Sequence, residues 1–249
     1  MVENNMKENH IDSYCFLQDT LDSGINVVFS TALNNLNFNK NTEEGLRNLG
    51  RIREWFNVDD TVFLNQVHGT DILKYDGSEI TIMDGDGIVT NSQGCAIGIF
   101  TADCVPVLLA DEEKRAVAAI HSGWKGTIGN IVSKGIDSMI ENYNSNPANI
   151  KAYIGPHNRE CCYEVSEELI MRFSNEDIFK NHIISNGRML NLKSCVEIEL
   201  INRGVKKENI IDLNLCTHCS EKIKLYSYRK EEEKMGRLFS FVFIGKMEG

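Results

Sequence analysis

Apolar positions along this chain fall in short, mostly β-branched or aliphatic runs broken by turn residues, with helix-spaced stretches set between them. The runs "NVVFSTAL" (26–33), "TVFLNQV" (61–67), "CAIGIFTA" (95–102), "VPVLLAD" (105–111), "AVAAIHS" (116–122) and "IKAYIG" (150–155) predict strands. Between the first two, "NTEEGLRNLGRIREWF" predicts a helix with Thr42 as its cap and acidic residues in its first turn. "GNIVSKGIDSMIENY" carries Ile131, Ile136, Met139 and Ile140 at helical spacing, and two further helical patterns run over 164–173 and 191–203. "KLYSYRK" (224–230) and "LFSFVFIG" (238–245) predict a closing hairpin. Prolines number three and no linker, repeat or low-complexity segment interrupts the pattern, which predicts one α+β domain on a large mixed sheet.

Composition narrows the class. A chain of 249 residues is long enough to bury a sizeable core as one domain. No apolar run approaches the roughly 18 residues of a membrane span. "MVENNMKENHIDSY" is too polar for a signal peptide, so a cytoplasmic protein is expected. Eight irregularly spaced cysteines without a secretory segment then read as reduced thiols, some of them free for chemistry. A formal charge of −10 argues against binding to phosphate backbones, and neither a nucleic-acid nor a membrane partner is expected.

The candidate chemistry lies at the ends of the strand-like runs. Of six histidines, His68 closes "TVFLNQVH" and His121 closes "AVAAIH", while Cys104 closes "CAIGIFTADC". Two imidazoles and a thiolate on one sheet rim suit zinc, with a fourth position left for water. The plainer alternative is a buried thiol and two hydrogen-bonded histidines. "CTHC" (216–219) is a lone CxxC, and a structural zinc there needs two more ligands. "HSGWKGTIGN" spaces Gly123, Gly126 and Gly129 around Lys125 and Thr127 ahead of a helix, which suits either an anion or a tight strand-to-helix connection. The Walker spacing is absent. Asp103 and Asp86 are the carboxylates beside these segments, although Asp beside Gly is more often a turn or cap residue.

In order, "NQVHGTDI", "DGDGIVTN", "GIFTADCVPVLLAD", "AAIHSGWKGT", "IGPHNRECCYEV" and "LYSYRK" closely resemble the signature segments of the YfiH-like family, also called the laccase-domain or polyphenol-oxidase-like family, over roughly residues 24–245. The resemblance implies a single α/β domain over 1–249, an α+β mixed-sheet sandwich of the YfiH-like fold, with about 1–23 as a variable N-terminal segment. It implies a zinc site on His68, Cys104 and His121, the same trio that the strand ends offer. It further implies a purine nucleoside enzyme that cleaves adenosine, inosine, guanosine and methylthioadenosine with phosphate, giving base and ribose 1-phosphate, and that deaminates adenosine. Some bacterial members are linked to peptidoglycan-precursor editing, and the family resembles cysteine hydrolases in fold, so a Cys–His hydrolase is the alternative. Two segments depart from the family pattern: "IGPCIG" reads "IGPHNR" with His157 for the cysteine, and "ENRRRL" reads "RNLGRI", keeping Asn48 and Arg51 as candidate anion contacts.

A laccase, with a blue-copper centre plus a trinuclear cluster, needs more imidazoles than the six present. Copper could still occupy a single His₂Cys site. Deamination would use a metal-activated water at C6 and a carboxylate, Asp103 or Asp86, to move the proton. Phosphorolysis would need cations and N–H donors beneath the ribose, for which Arg47, Arg51, Lys125 and Arg229 are the candidate cations. A monomer or weak homodimer acting on small molecules is expected.

Overall fold

The computed structural model describes residues 6–78, 83–231 and 236–246. In chain order, β1 (Lys7–Ile11), β2 (Tyr14–Thr20) and β3 (Ile25–Ser30) precede helix α1 (Glu43–Phe56). The short strands β4 (Asp60–Val62) and β5 (Ile72–Lys74) follow. Next come β6 (Gly87–Thr90), β7 (Cys95–Thr101), β8 (Val105–Asp111) and β9 (Ala116–Ser122). Helices α2 (Trp124–Ile128) and α3 (Ile131–Tyr143) lead to β10 (Ile150–Ile154) and α4 (Glu167–Asn175). After them stand the two-residue strands β11 (Ser185–Asn186) and β12 (Met189–Leu190) and helix α5 (Leu192–Asn202). The last elements are β13 (Ile210–Asp212), α6 (Tyr228–Glu231) and β14 (Leu238–Ile244).

Apart from the β11–β12 pair, the strands form two mixed six-stranded sheets rather than one large one, in the orders β1-β2-β3-β14-β7-β4 and β13-β10-β8-β9-β6-β5. Their facing sides share one core, in which Val27, Phe29, Ile97 and Val242 of the first sheet meet Leu108, Val117 and Tyr153 of the second. On the outer face of the first sheet, Phe239, Phe241 and Phe243 alternate toward Leu49, Ile52 and Phe56 of α1. On the outer face of the second, Val107, Leu109 and Ile120 pack on α3 and α5. With both faces covered, β7, β8, β9 and β14 are buried along their whole length, which is why they read as continuous apolar runs. The sheets are held by the hydrophobic effect on these layers, and the helices close the outer sides.

Local signals set the helix ends. Thr42 Oγ1 accepts from Gly45 N at 3.0 Å, and Asn57 ends α1 at φ 51°. Ile131, Ile136 and Met139 of α3 are buried as their spacing predicts, whereas Ile140 is 37 % exposed and falls off the stripe.

The closing hairpin is corrected. β14 is a central strand, antiparallel to both β3 and β7, so both its edges are taken. "KLYSYRK" instead runs as irregular chain into α6, with Lys224 O accepting from Ala32 N at 2.8 Å. The predicted strand 61–67 is also cut short: beyond Val62 the chain leaves the sheet, and the Gln66 amide takes the Phe100 N–H and C=O at 2.7 and 2.8 Å in place of a strand.

One buried acid lies between α3 and α5. Glu199 is fully buried and accepts from Ser133 N at 3.0 Å, and burial pushes its carboxyl up to about 8. The folded chain then holds a proton that the unfolded chain releases above its ordinary value of 4.5. Stability from this group is complete below that value and is lost as pH rises through about 8. We expect Glu199→Gln to flatten this part of the pH dependence and to gain stability over wild type at pH 8 relative to pH 5, measured by urea midpoints.

Candidate metal and anion site

β8 and β9 form an antiparallel hairpin whose turn is tightened by Asp111 Oδ1, which accepts from Glu113 N and Lys114 N. Its register pairs Val105 with Ser122 and Pro106 with His121, so Cys104, on the crossing from β7, stands beside His121 at the open end. His68 arrives from a loop rather than a strand end, at φ 57°, and its ring meets that of His121 edge-on with centroids 4.8 Å apart. The donor atoms of His68, Cys104 and His121 lie within 4.8 Å of one another, graded from exposed through half-buried to buried.

Asp86 organises this trio. It is fully buried, and Oδ1 accepts from His68 N at 3.0 Å and His121 Nδ1 at 2.7 Å, while Oδ2 accepts from Val67 N at 3.2 Å and Gly69 N at 2.6 Å. One carboxylate thus fixes both the His68 loop and the His121 ring, and leaves His121 Nε2 for the site. Asp86 does not line the cleft and has its oxygens fully engaged, which corrects the expectation of a proton shuttle: it is a positioning residue.

Burial alone would push the Cys104 thiol up, but His121 and His68 outweigh it and bring it down to about 6. His121 is raised to about 9 against its own burial, by the Cys104 thiolate and then Asp86. Without a metal these two shifts favour a thiolate beside an imidazolium. Two imidazoles and a thiolate fit zinc, and the space among them is kept by Gly123, where an added Cβ would lie 3.0 Å from Cys104 Sγ and 3.3 Å from His68 Cδ2.

The trio opens into a cleft of about 640 Å³. Asp103 lines it at φ 100°, with Oδ1 accepting from Thr217 Oγ1 at 2.6 Å and Oδ2 from Arg229 N at 2.8 Å. Arg229 lies over the Tyr163 ring, 5.0 Å from its centroid, and donates to Glu164 O at 2.7 Å. Two further cations line the cleft that the sequence reading passed over: Arg237, which donates to Gly236 O, and Lys40, which donates to Asn65 Oδ1 at 3.2 Å. Among the described residues, no carboxylate pairs with the side chain of Lys40, Arg229 or Arg237. Thr101 Oγ1, another lining residue, is buried without a hydrogen-bond partner.

The other predicted anion contacts lie elsewhere. Arg51 pairs with Asp12 at 2.6 Å and stacks on Trp55, and Asn48 is buried with its amide donating to Asn37 O at 2.8 Å. Arg47 is exposed on α1. Lys125 is exposed over the Trp124 ring, and the glycine loop is the tight strand-to-helix connection, with Thr127 N donating to Gly123 O at 2.9 Å.

Fold and rim together define a helix-flanked double-sheet protein with a His₂Cys site opening on a cationic cleft. The chain belongs to the family described as multi-copper polyphenol oxidoreductase laccase, whose pattern matches residues 24–245. It is 43 % identical over 237 residues to a purine nucleoside phosphorylase of Clostridium acetobutylicum, covering 95 % of this chain and 99 % of that one. It is 30 % identical over 200 residues to adenosine deaminase RL5 of an unknown prokaryotic organism, covering 75 % and 76 %. YfiH of Bacillus licheniformis has the same fold, with a TM-score of 0.83 at 27 % identity over 94 % of this chain and 98 % of that one. The segment before residue 24 supplies β1 and β2, which extend the first sheet at its edge. No described helix is long and apolar enough to cross a membrane.

Proposed function

We propose that the chain is a zinc-dependent purine nucleoside phosphorylase, with adenosine deamination as a second activity of the same cleft. The observation that carries this reading is the set of three cations without carboxylate partners, Lys40, Arg229 and Arg237, in the same cleft as His68, Cys104 and His121. Cations that line a cleft without a carboxylate paired to their side chains favour an anion there, and a phosphate supplies it. The volume lies within the roughly 300–1,000 Å³ of small-ligand sites. The relatives named as phosphorylase and adenosine deaminase support the same substrate class.

In this reading a phosphate oxygen bonds to ribose C1′ as the C1′–N9 bond breaks, and the departing purine takes a proton. Lys40, Arg229 and Arg237 hold the phosphate. Asp103, the one carboxylate among the described lining residues, passes a proton from the attacking dihydrogen phosphate to the departing base, and in deamination it moves a proton from water to the leaving ammonia. Phe100, Trp124 and Tyr163 offer the ring faces for the purine. Zinc held by His68, Cys104 and His121 would supply Lewis acidity beside these groups.

A nucleoside panel run with and without phosphate tests it. Adenine and ribose 1-phosphate should appear only with phosphate, and inosine also without it; equal adenine and ribose in phosphate-free buffer would make the reaction a hydrolysis. Arg237→Ala should raise the KM for phosphate about 10-fold or more, as expected for losing a charged hydrogen bond, with little change in the phosphate-independent formation of inosine.

A second reading rests on the metal-free pair. Cys104 lowered to about 6, His121 raised to about 9 and Asp86 on His121 Nδ1 together form a thiolate nucleophile, an imidazolium proton donor and an orienting carboxylate, the arrangement of a Cys–His hydrolase.

A further inference from the structure

Behind the cleft wall four more thiols converge. Cys161, Cys162, Cys216 and Cys219 place their sulfurs within 4.8 Å of one another, with Cys161 Sγ 3.6 Å from Cys219 Sγ. The sequence offers only a lone CxxC; the fold supplies the second pair. β10 and β13 are parallel neighbours, with Ile154 opposite Asp212, so their following loops leave the sheet side by side. His157 N donates to Leu215 O at 3.2 Å and Thr217 N to His157 O at 2.9 Å, which brings "ECC" against "CTHC".

We propose that these four cysteines bind one zinc ion as a closed structural site. A tetrahedron with Zn–S near 2.3 Å spaces its sulfurs about 3.8 Å apart; the Cys161–Cys219 pair stands at 3.6 Å and all four sulfurs lie within 4.8 Å of one another. The 3.6 Å contact is far beyond a disulfide bond of about 2.05 Å, and all four thiols are free. Four soft donors select zinc over magnesium or calcium. The backbone amides of Arg159, Cys219 and His218 hydrogen-bond to Cys216, and Ser220 N closes the CxxC turn on Cys216 O at 3.0 Å. Such N–H groups turned toward a sulfur are the usual support of a metal thiolate.

The site also has a position that matters. Tyr163, next to Cys162, forms part of the cleft wall, and Thr217, inside the CxxC, holds Asp103 at 2.6 Å. A metal here ties together the two loops that carry them, while contributing no ligand to the cleft. Binding releases protons from the thiols and involves no change of oxidation state.

The test is a metal count, which does not depend on the reaction assigned to the cleft. Reduced, metal-stripped full-length chain is titrated with cobalt(II), and separately loaded with zinc and desalted. Expected are two zinc ions per chain and an intense tetrathiolate charge-transfer band. Cys219→Ser, an exposed position, should lose one zinc and most of the band, whereas Cys104→Ser should keep the band. A wild-type chain whose zinc count is unchanged by Cys219→Ser overturns the proposal, as does a band unaffected by Cys219→Ser. So does a disulfide among these four cysteines in protein purified under reducing conditions. A single zinc that Cys104→Ser keeps and Cys219→Ser loses supports the proposal and leaves only the rim without metal.

Discussion

Asp86→Asn should lower zinc affinity at the His68–Cys104–His121 site by about 10- to 100-fold, the range for losing the group that orients a metal-binding histidine. It should also cost roughly 3–5 kcal/mol of stability, as breaking a buried charged pair does. The reason is geometric. Asp86 accepts four hydrogen bonds, two on each oxygen, from Val67 N, His68 N, Gly69 N and His121 Nδ1. Asparagine has the same shape, but whichever way its amide turns, an NH₂ faces two of those donors. Burial acts to raise the Asp86 pKa, yet the His121 hydrogen bond and the Gly69 and Val67 amides outweigh it and hold the carboxyl below its ordinary range. A depressed acid stabilises the fold above its unfolded pKa, and that contribution is lost as pH falls through the folded value. Wild type should therefore lose stability on acidification below about pH 4, and the variant should lose less. Chelator-competition titration and urea unfolding at pH 4 and pH 7 read both effects. A variant with wild-type zinc affinity would remove Asp86 from the site's support.

The site trio was legible because each member ends a recognisable apolar segment, and the hairpin register then forces Cys104 against His121. His68 was reached by a partly mistaken route. The run beginning at Thr61 alternates like a strand, but the Gln66 amide takes the Phe100 backbone groups and turns the chain into a loop. The closing run misled for a similar reason: "KLYSYRK" and "LFSFVFIG" both look strand-like, and only the long-range pairing of β14 between β3 and β7 decides that the first is not its partner. The cations were the least legible. A lone Arg237 before an apolar strand and a Lys40 in a polar loop look like solvated charge, whereas Arg51, on a promising helix, is neutralised by Asp12 from the β1–β2 turn. Cys161 and Cys162 reach Cys216 and Cys219 only through the parallel pairing of β10 with β13, which no local pattern contains.

Cys104→Ser separates the metal reading of the trio from the nucleophile reading. If Cys104 is a zinc ligand, serine replaces a soft thiolate by a weak donor, and zinc at this site should be lost together with at least about 100-fold in turnover. The fold should survive, because the residue is half-buried on the sheet rim and the exchange leaves its shape nearly unchanged. If Cys104 is instead a nucleophile activated by His121, turnover also disappears, so activity alone decides nothing. The metal content does. A Cys–His hydrolase needs no zinc, so wild type should work in the presence of chelators and should be active where the ion pair exists, between about pH 6 and 9. A zinc enzyme should fail with chelators, and its His121 must shed a proton to bind the metal. We expect the folded Cys104→Ser chain to lack the zinc of the rim while keeping the zinc assigned to Cys161, Cys162, Cys216 and Cys219, a loss of one ion out of two by metal analysis. An inactive, folded variant that retains both ions would overturn the ligand role of Cys104 and leave the thiolate–imidazolium pair, oriented by Asp86, as the catalytic device.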